Sequence, residues 1–67
     1  MSLMLNELKK MHQNEEFVTV WLSHGKGQKG VIADMDETAI VLELEGVEQV
    51  INFSGIVNVV RSHRWEE

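Results

Sequence analysis

From Phe17 onward the chain alternates between two faces with a period of two, and short turns cut that alternation into five stretches of about six residues each. Nothing between the stretches is long enough for the crossover connection that parallel strands need. They must therefore run antiparallel, and tight turns in series predict a meander. The first strand covers Phe17 to Ser23, with Val18, Val20 and Leu22 on one face and Phe17, Thr19 and Trp21 on the other. His24-Gly25-Lys26-Gly27 reads as a hairpin turn. A second strand follows from Gln28 to about Met35, with Gly30 inside it, where a strand glycine marks a bend or a close backbone approach. Asp34 to Glu37 turns the chain into a third strand, Thr38 to Glu45, with Ile40, Leu42 and Leu44 inward and Glu43 and Glu45 outward. Gly46 leads to a fourth, Val47 to Phe53, and Ser54-Gly55 to a fifth, Ile56 to Val60.

An open sheet of five strands leaves long edges, and a bend at Gly30 lets it curl into a small barrel of the SH3 type. Ahead of it, Met4, Leu5, Leu8 and Met11 recur at spacings of three and four, which predicts an amphipathic helix over about residues 3–13 with Ser2 as N-cap. A helix of about three turns is not stable alone and must dock on the barrel. The expectation is one mostly β domain over residues 1–67: a helix, a strongly bent five-stranded antiparallel barrel over about 17–60, and a loose tail over 61–67.

A chain of 67 residues has a marginal core, because a domain this size buries only about 60% of the surface its unfolded form exposes. Disulfides, metals or self-association are the usual remedies. The sequence has no cysteine, and its three histidines, His12, His24 and His63, lack metal-ligand spacing, so neither a disulfide nor a metal or cofactor is expected. Self-association remains. The fourth and fifth strands are apolar on both faces around Val50, Ile51, Val57 and Val59, which fits either a strand buried under the helix or an edge that pairs with another copy.

The first 16 residues carry Glu7, Lys9, Lys10, Glu15 and Glu16 and no long apolar run, so neither a signal peptide nor a membrane span is expected, and the chain reads as cytoplasmic. Six basic against 11 acidic residues, net −5, argue against indiscriminate polyanion binding but leave room for a local basic site repeated by symmetry. Gly25-Lys26-Gly27-Gln28-Lys29-Gly30 is not a phosphate loop, because it lacks the Lys-Ser/Thr ending and opens a strand. Asp34, Asp36 and Glu37 read as turn formers. With no histidine or cysteine partner beside them and no pocket for a small-molecule substrate, the chain is not expected to be an enzyme.

Several runs together resemble the Sm-like family, most closely its bacterial Hfq branch. Met4-Leu5-Asn6-Glu7-Leu8-Lys9-Lys10 is similar to the family's N-terminal helix, and Val18-Thr19-Val20-Trp21-Leu22 with Gly25 and Gly30 to its first strand, turn and bent second strand. Ile32, Met35-Asp36 and Ile40-Val41-Leu42 match the first signature, and Gln49 to Ile56 with Val59-Val60 sits at the second. The resemblance implies a homo-oligomeric ring, the fifth strand of one subunit pairing with the fourth of the next, around a pore that binds single-stranded RNA. At the pore, Thr38 stands where the family commonly has an aromatic or histidine, and Asn52-Phe53-Ser54 where the bacterial branch has Tyr-Lys-His, so this site is weakened. Trp21 stands where that branch has an exposed tyrosine that stacks on adenine-rich RNA. Trp21 beside Gly25, Lys26, Gly27 and Lys29 forms a candidate stacking and phosphate platform, and Lys9 and Lys10 could repeat as a basic collar with Arg61 and Arg64. Trp21 could equally cover a subunit interface or pack on Phe17. Two ring functions follow: RNA binding through Trp21, or a structural or protein-interaction ring that has lost its RNA pockets. An SH3-type monomeric adaptor would have only Phe17 and Trp21 for an aromatic groove.

Overall fold

The computed structural model describes residues 2–61; the tail positions Arg64 and Trp65 lie outside the described residues. Helix α1 runs Leu3–Gln13, and the Ser2 Oγ accepts the Leu5 N–H at 3.1 Å, as the N-cap assignment requires. Its C-terminus closes without glycine. Glu15 takes the left-handed conformation at φ +53, donating its N–H to the His12 carbonyl at 3.2 Å, while Glu16 donates to Met11 at 3.0 Å. Those two bonds form a Schellman cap, which satisfies helix carbonyls that would otherwise be left without donors. Leu8 and Met11 point from the helix into the barrel.

Five strands follow: β1 Phe17–Leu22, β2 Gly27–Met35, β3 Ala39–Leu44, β4 Val47–Asn52 and β5 Ile56–Arg61. All lie in one antiparallel sheet, and each falls within a residue or two of the alternation that marked it. The order is β4-β3-β2-β1-β5, so the last strand departs from a simple meander. A single turn of 3-10 helix, Phe53–Gly55, carries the chain across the barrel, and β5 pairs with β1 instead of with β4. The Asn52 side chain caps this turn, and the Gly55 carbonyl accepts the Ser23 N–H at 2.9 Å, fixing the crossing against the end of β1. Both β4 and β5 are consequently sheet edges.

Gly30 makes the bend in β2. Its φ is +152, and a Cβ there would lie 2.5 Å from the Glu43 carbonyl oxygen, so only glycine lets β2 approach β3 this closely. A bulge at Ala33, between the Ile32–Leu42 and Asp34–Val41 pairs, adds curvature farther along. The curled sheet and helix enclose one core of Leu8, Met11, Val18, Val20, Ile32, Ile40, Leu42, Ile51 and Ile56. Thr19 is buried as well, against the simple alternation, because β1 is flanked on that face by Lys29 of β2 and Val60 of β5. Arg61 also differs from expectation: it ends β5 and does not open the tail.

Candidate nucleic-acid interface

Residues directly opposite in an antiparallel pair present their side chains on one face. Trp21 is opposite Gly27 on β2 and Asn58 on β5, while Thr19 is opposite Lys29 and Val60. Register thus brings Trp21, Lys29 and Asn58 together beside the first hairpin. Trp21 is 40% exposed, so alternation placed it correctly outside the core. Gly27 is the turn neighbour that the sequence placed beside Trp21, whereas Asn58 was not singled out, because its proximity depends on β5 crossing to β1.

The hairpin tip is held by backbone bonds. Leu22 donates to the Lys26 carbonyl at 2.8 Å, Gly25 donates to Leu22 at 2.9 Å, and Gly25 sits at φ +96. The Lys26 N–H points at the His24 Nδ1 at 3.4 Å. Lys26 and Lys29 are exposed, and among the described residues neither makes an ion pair. The site thus sets a short cationic turn beside an exposed indole, the two kinds of group that phosphate contact and base stacking draw on in general.

The other cations are offset. Lys10 lies 3.5 Å from Glu7, and Lys9 shares a shallow cleft with Leu5, Met35, Asp36 and Glu37, so carboxylates face the same cleft. Arg61 is held by Glu16 at 2.6 Å and by Glu7 at 3.0 Å, which ties α1 and its following loop to the end of β5. The Arg61 hydrogen bond, with Lys10 nearby, holds the Glu7 carboxyl below its ordinary range. Arg61 is therefore a clamp, not a free member of a basic collar.

Thr38, Asn52 and Ser54 have their polar groups engaged locally. Asp36 Oδ1 accepts the Thr38 N–H at 2.7 Å, the Thr38 hydroxyl at 2.9 Å and the Ala39 N–H at 3.0 Å. These bonds, the Thr38 amide first, hold the Asp36 carboxyl below its ordinary range. Asn52 Oδ1 accepts both the Ser54 N–H and hydroxyl, at 3.1 and 3.0 Å. The Phe53 N–H, 2.9 Å from the Thr38 carbonyl, joins the two turns. Phe53 is half-buried, with its ring packed against the core.

At the sheet edges, Val50 is 75% exposed and Val57 60%, whereas Ile51 is buried and Val59 packs on the core. Ile51 therefore belongs to the core and not to the edge surface, while Val59 is half-buried. Val47 and Val60 are further exposed edge residues.

A helix capping a bent five-stranded sheet with order β4-β3-β2-β1-β5 defines the Sm-like barrel. The particular likeness is to Hfq. A crystal structure of the pleiotropic translational regulator Hfq superposes with a TM-score of 0.80 at 25% identity, covering 88% of this chain and 98% of that one. An Hfq protein from Anabaena sp. matches with a TM-score of 0.77 at 15% identity, over 88% of this chain and 95% of its own. This chain has the Sm-like fold of Hfq. No protein-family model and no curated protein sequence matches it. Among the described residues no helix is long and apolar enough to cross a membrane.

Proposed function

We propose that the chain assembles into a homo-oligomeric ring in the cytoplasm, β5 of one copy pairing with β4 of the next, and that the ring binds single-stranded RNA through Trp21 and the first hairpin. The observation that carries this reading is the exposed Trp21 indole, placed by register beside Lys29 and next to the Lys26 turn on an Hfq-like barrel. Repetition around a ring would set one aromatic platform and two exposed lysines per subunit along the strand's path, which suits extended RNA. Gly25 shapes the turn, and Lys9 and Lys10 contribute weakly because carboxylates offset them. The role is binding, with no bond made or broken.

The proposed interface does not draw on Thr38, Asn52 or Ser54, which offer no ring to stack on, and the Thr38 and Ser54 hydroxyls already donate to Asp36 and Asn52. That engagement, with the net charge of −5, favours the second reading: a ring that contacts protein and not RNA.

Titration of labelled oligo(A), oligo(U) and mixed-sequence RNA at two salt concentrations separates them. Salt-sensitive binding that Trp21→Ala abolishes supports the RNA reading. No binding to any RNA at low salt overturns it and leaves the protein-interaction ring. Light scattering tests assembly separately, and a monomer at micromolar concentration overturns both.

A further inference from the structure

Gly27 is the first residue of β2, and the backbone there gives no reason for glycine. Its φ lies outside the left-handed region, so another residue would fit the same conformation, and glycine weakens a strand through its entropy on unfolding. What occupies the space of a side chain is Trp21. A Cβ built on Gly27 would lie 3.0 Å from Cε3, 3.0 Å from Cζ3 and 3.1 Å from Cη2 of the indole. A point nearly equidistant from three atoms of a six-membered ring lies close to that ring's axis. The benzo ring is thus laid face-down on the Gly27 backbone, and its other face is directed away from β2.

We infer that Gly27 is a positioning residue for the Trp21 platform, an inference that rests on the RNA reading for its functional arm. The missing side chain lets the indole lie against the strand in one pose with one face covered. A ring fixed before binding loses less freedom when a base stacks on it than one that swings through several rotamers. A methyl at position 27 would sit closer to the ring than ordinary van der Waals contact allows and would lift it off the strand, restoring that freedom. Nothing else is asked of Gly27, since its backbone pairing with Trp21 is available to alanine.

The test uses Gly27→Ala in a Trp65→Phe background, where Trp21 is the one tryptophan left. The expected result is a red-shifted Trp21 emission and stronger acrylamide quenching, with the circular dichroism spectrum and assembly mass unchanged. RNA affinity should fall by about five- to tenfold, a part of what complete loss of one stacked base removes. In a Trp21→Ala background the same glycine change should have no effect on RNA affinity. Unchanged emission and quenching in Gly27→Ala overturns the positioning role, as does an equal affinity loss with and without Trp21. If the parent protein binds no RNA, the RNA reading fails by itself, and the fluorescence arm still decides whether Gly27 holds the indole. Gly27→Ser serves as the second variant: should the alanine protein misfold, the serine protein must show the same emission shift or the inference fails.

Discussion

Gly30→Ala tests whether the bend in β2 is what closes this barrel. Two costs add. The backbone at φ +152 belongs almost exclusively to glycine, and holding another residue there costs about 1–3 kcal/mol. The new Cβ would also lie 2.5 Å from the Glu43 carbonyl oxygen and 3.0 Å from its carbon. Those are backbone atoms of β3, tied into pairing with both β2 and β4, so they cannot move aside as a flexible side chain would. Overpacking of this kind adds about 1–3 kcal/mol, for a total of about 2–6 kcal/mol. A chain of 67 residues has only about 3–10 kcal/mol to lose. For a domain this size each kcal/mol moves the melting temperature by about 4–8 °C, so a fall of at least about 8 °C is expected. Thermal unfolding followed by circular dichroism, at one protein concentration because assembly would couple to stability, measures it. Gly55→Ala is the control: a Cβ there meets nothing within 4 Å and the change should be nearly silent. A Gly30→Ala protein that melts with the parent would refute the argument that this close approach shapes the sheet.

Acid should loosen the attachment of α1. The carboxyls of Glu7 and Asp36 are held below their ordinary values of 4.5 and 3.8, so their contribution is present above those values and is lost as pH falls through the lower folded ones. Arg61→Gln should therefore flatten the decline of melting temperature below about pH 4.5, and an unchanged acid profile would remove Arg61 as the clamp on Glu7. Thr38→Ala should lower the melting temperature, by deleting one bond into Asp36, while RNA affinity at matched salt stays that of the parent. A loss of affinity in that variant would mean that the Thr38 turn contacts the ligand.

Periodicity exposed most of the fold because each element buries one face. Spacings of three and four at Met4, Leu8 and Met11, then of two at Val18 and Val20, are direct imprints of helix and strand geometry on burial. The position of β5 left no such imprint. Its alternation is the same whether it pairs with β4 or with β1, and the difference lies in one turn of 3-10 helix at Phe53–Gly55. From that one turn follow three things the local pattern could not contain: the burial of Thr19, the neighbourhood of Trp21 and Asn58, and the reach of Arg61 back to α1. Trp21 was legible as an outward residue from alternation alone. The support beneath it was not, because Gly27 looks like turn punctuation until register sets it under the indole. The helix C-terminus was hidden for a related reason: its left-handed residue is Glu15, where glycine would have announced the cap.

The two open edges bear on assembly most directly. Val47 and Val50 on β4 are 60% and 75% exposed, and Val57 and Val60 on β5 are 60% and 42% exposed. Exposed valines beside free backbone groups at a sheet edge invite pairing, and the charge there is confined to Glu48 on β4 and Arg61 at the end of β5. Because the edges are different strands at opposite ends of the sheet, pairing β4 with β5 is heterologous, and such contacts propagate until they close. That logic predicts the behaviour of two edge variants. Val50→Lys spoils β4 and keeps β5; Val57→Lys spoils β5 and keeps β4. Each alone lacks one half of every interface and should be a soluble monomer by light scattering. Mixed in equal amounts, they should form a dimer of one copy of each and nothing larger, because the single competent junction leaves two spoiled edges outward. A symmetric contact makes a different demand: if β4 paired with β4, Val57→Lys alone would dimerise and mixing would add nothing. A mixture that stays monomeric, or a single variant that dimerises, would refute the β4-to-β5 junction on which the proposed ring is built.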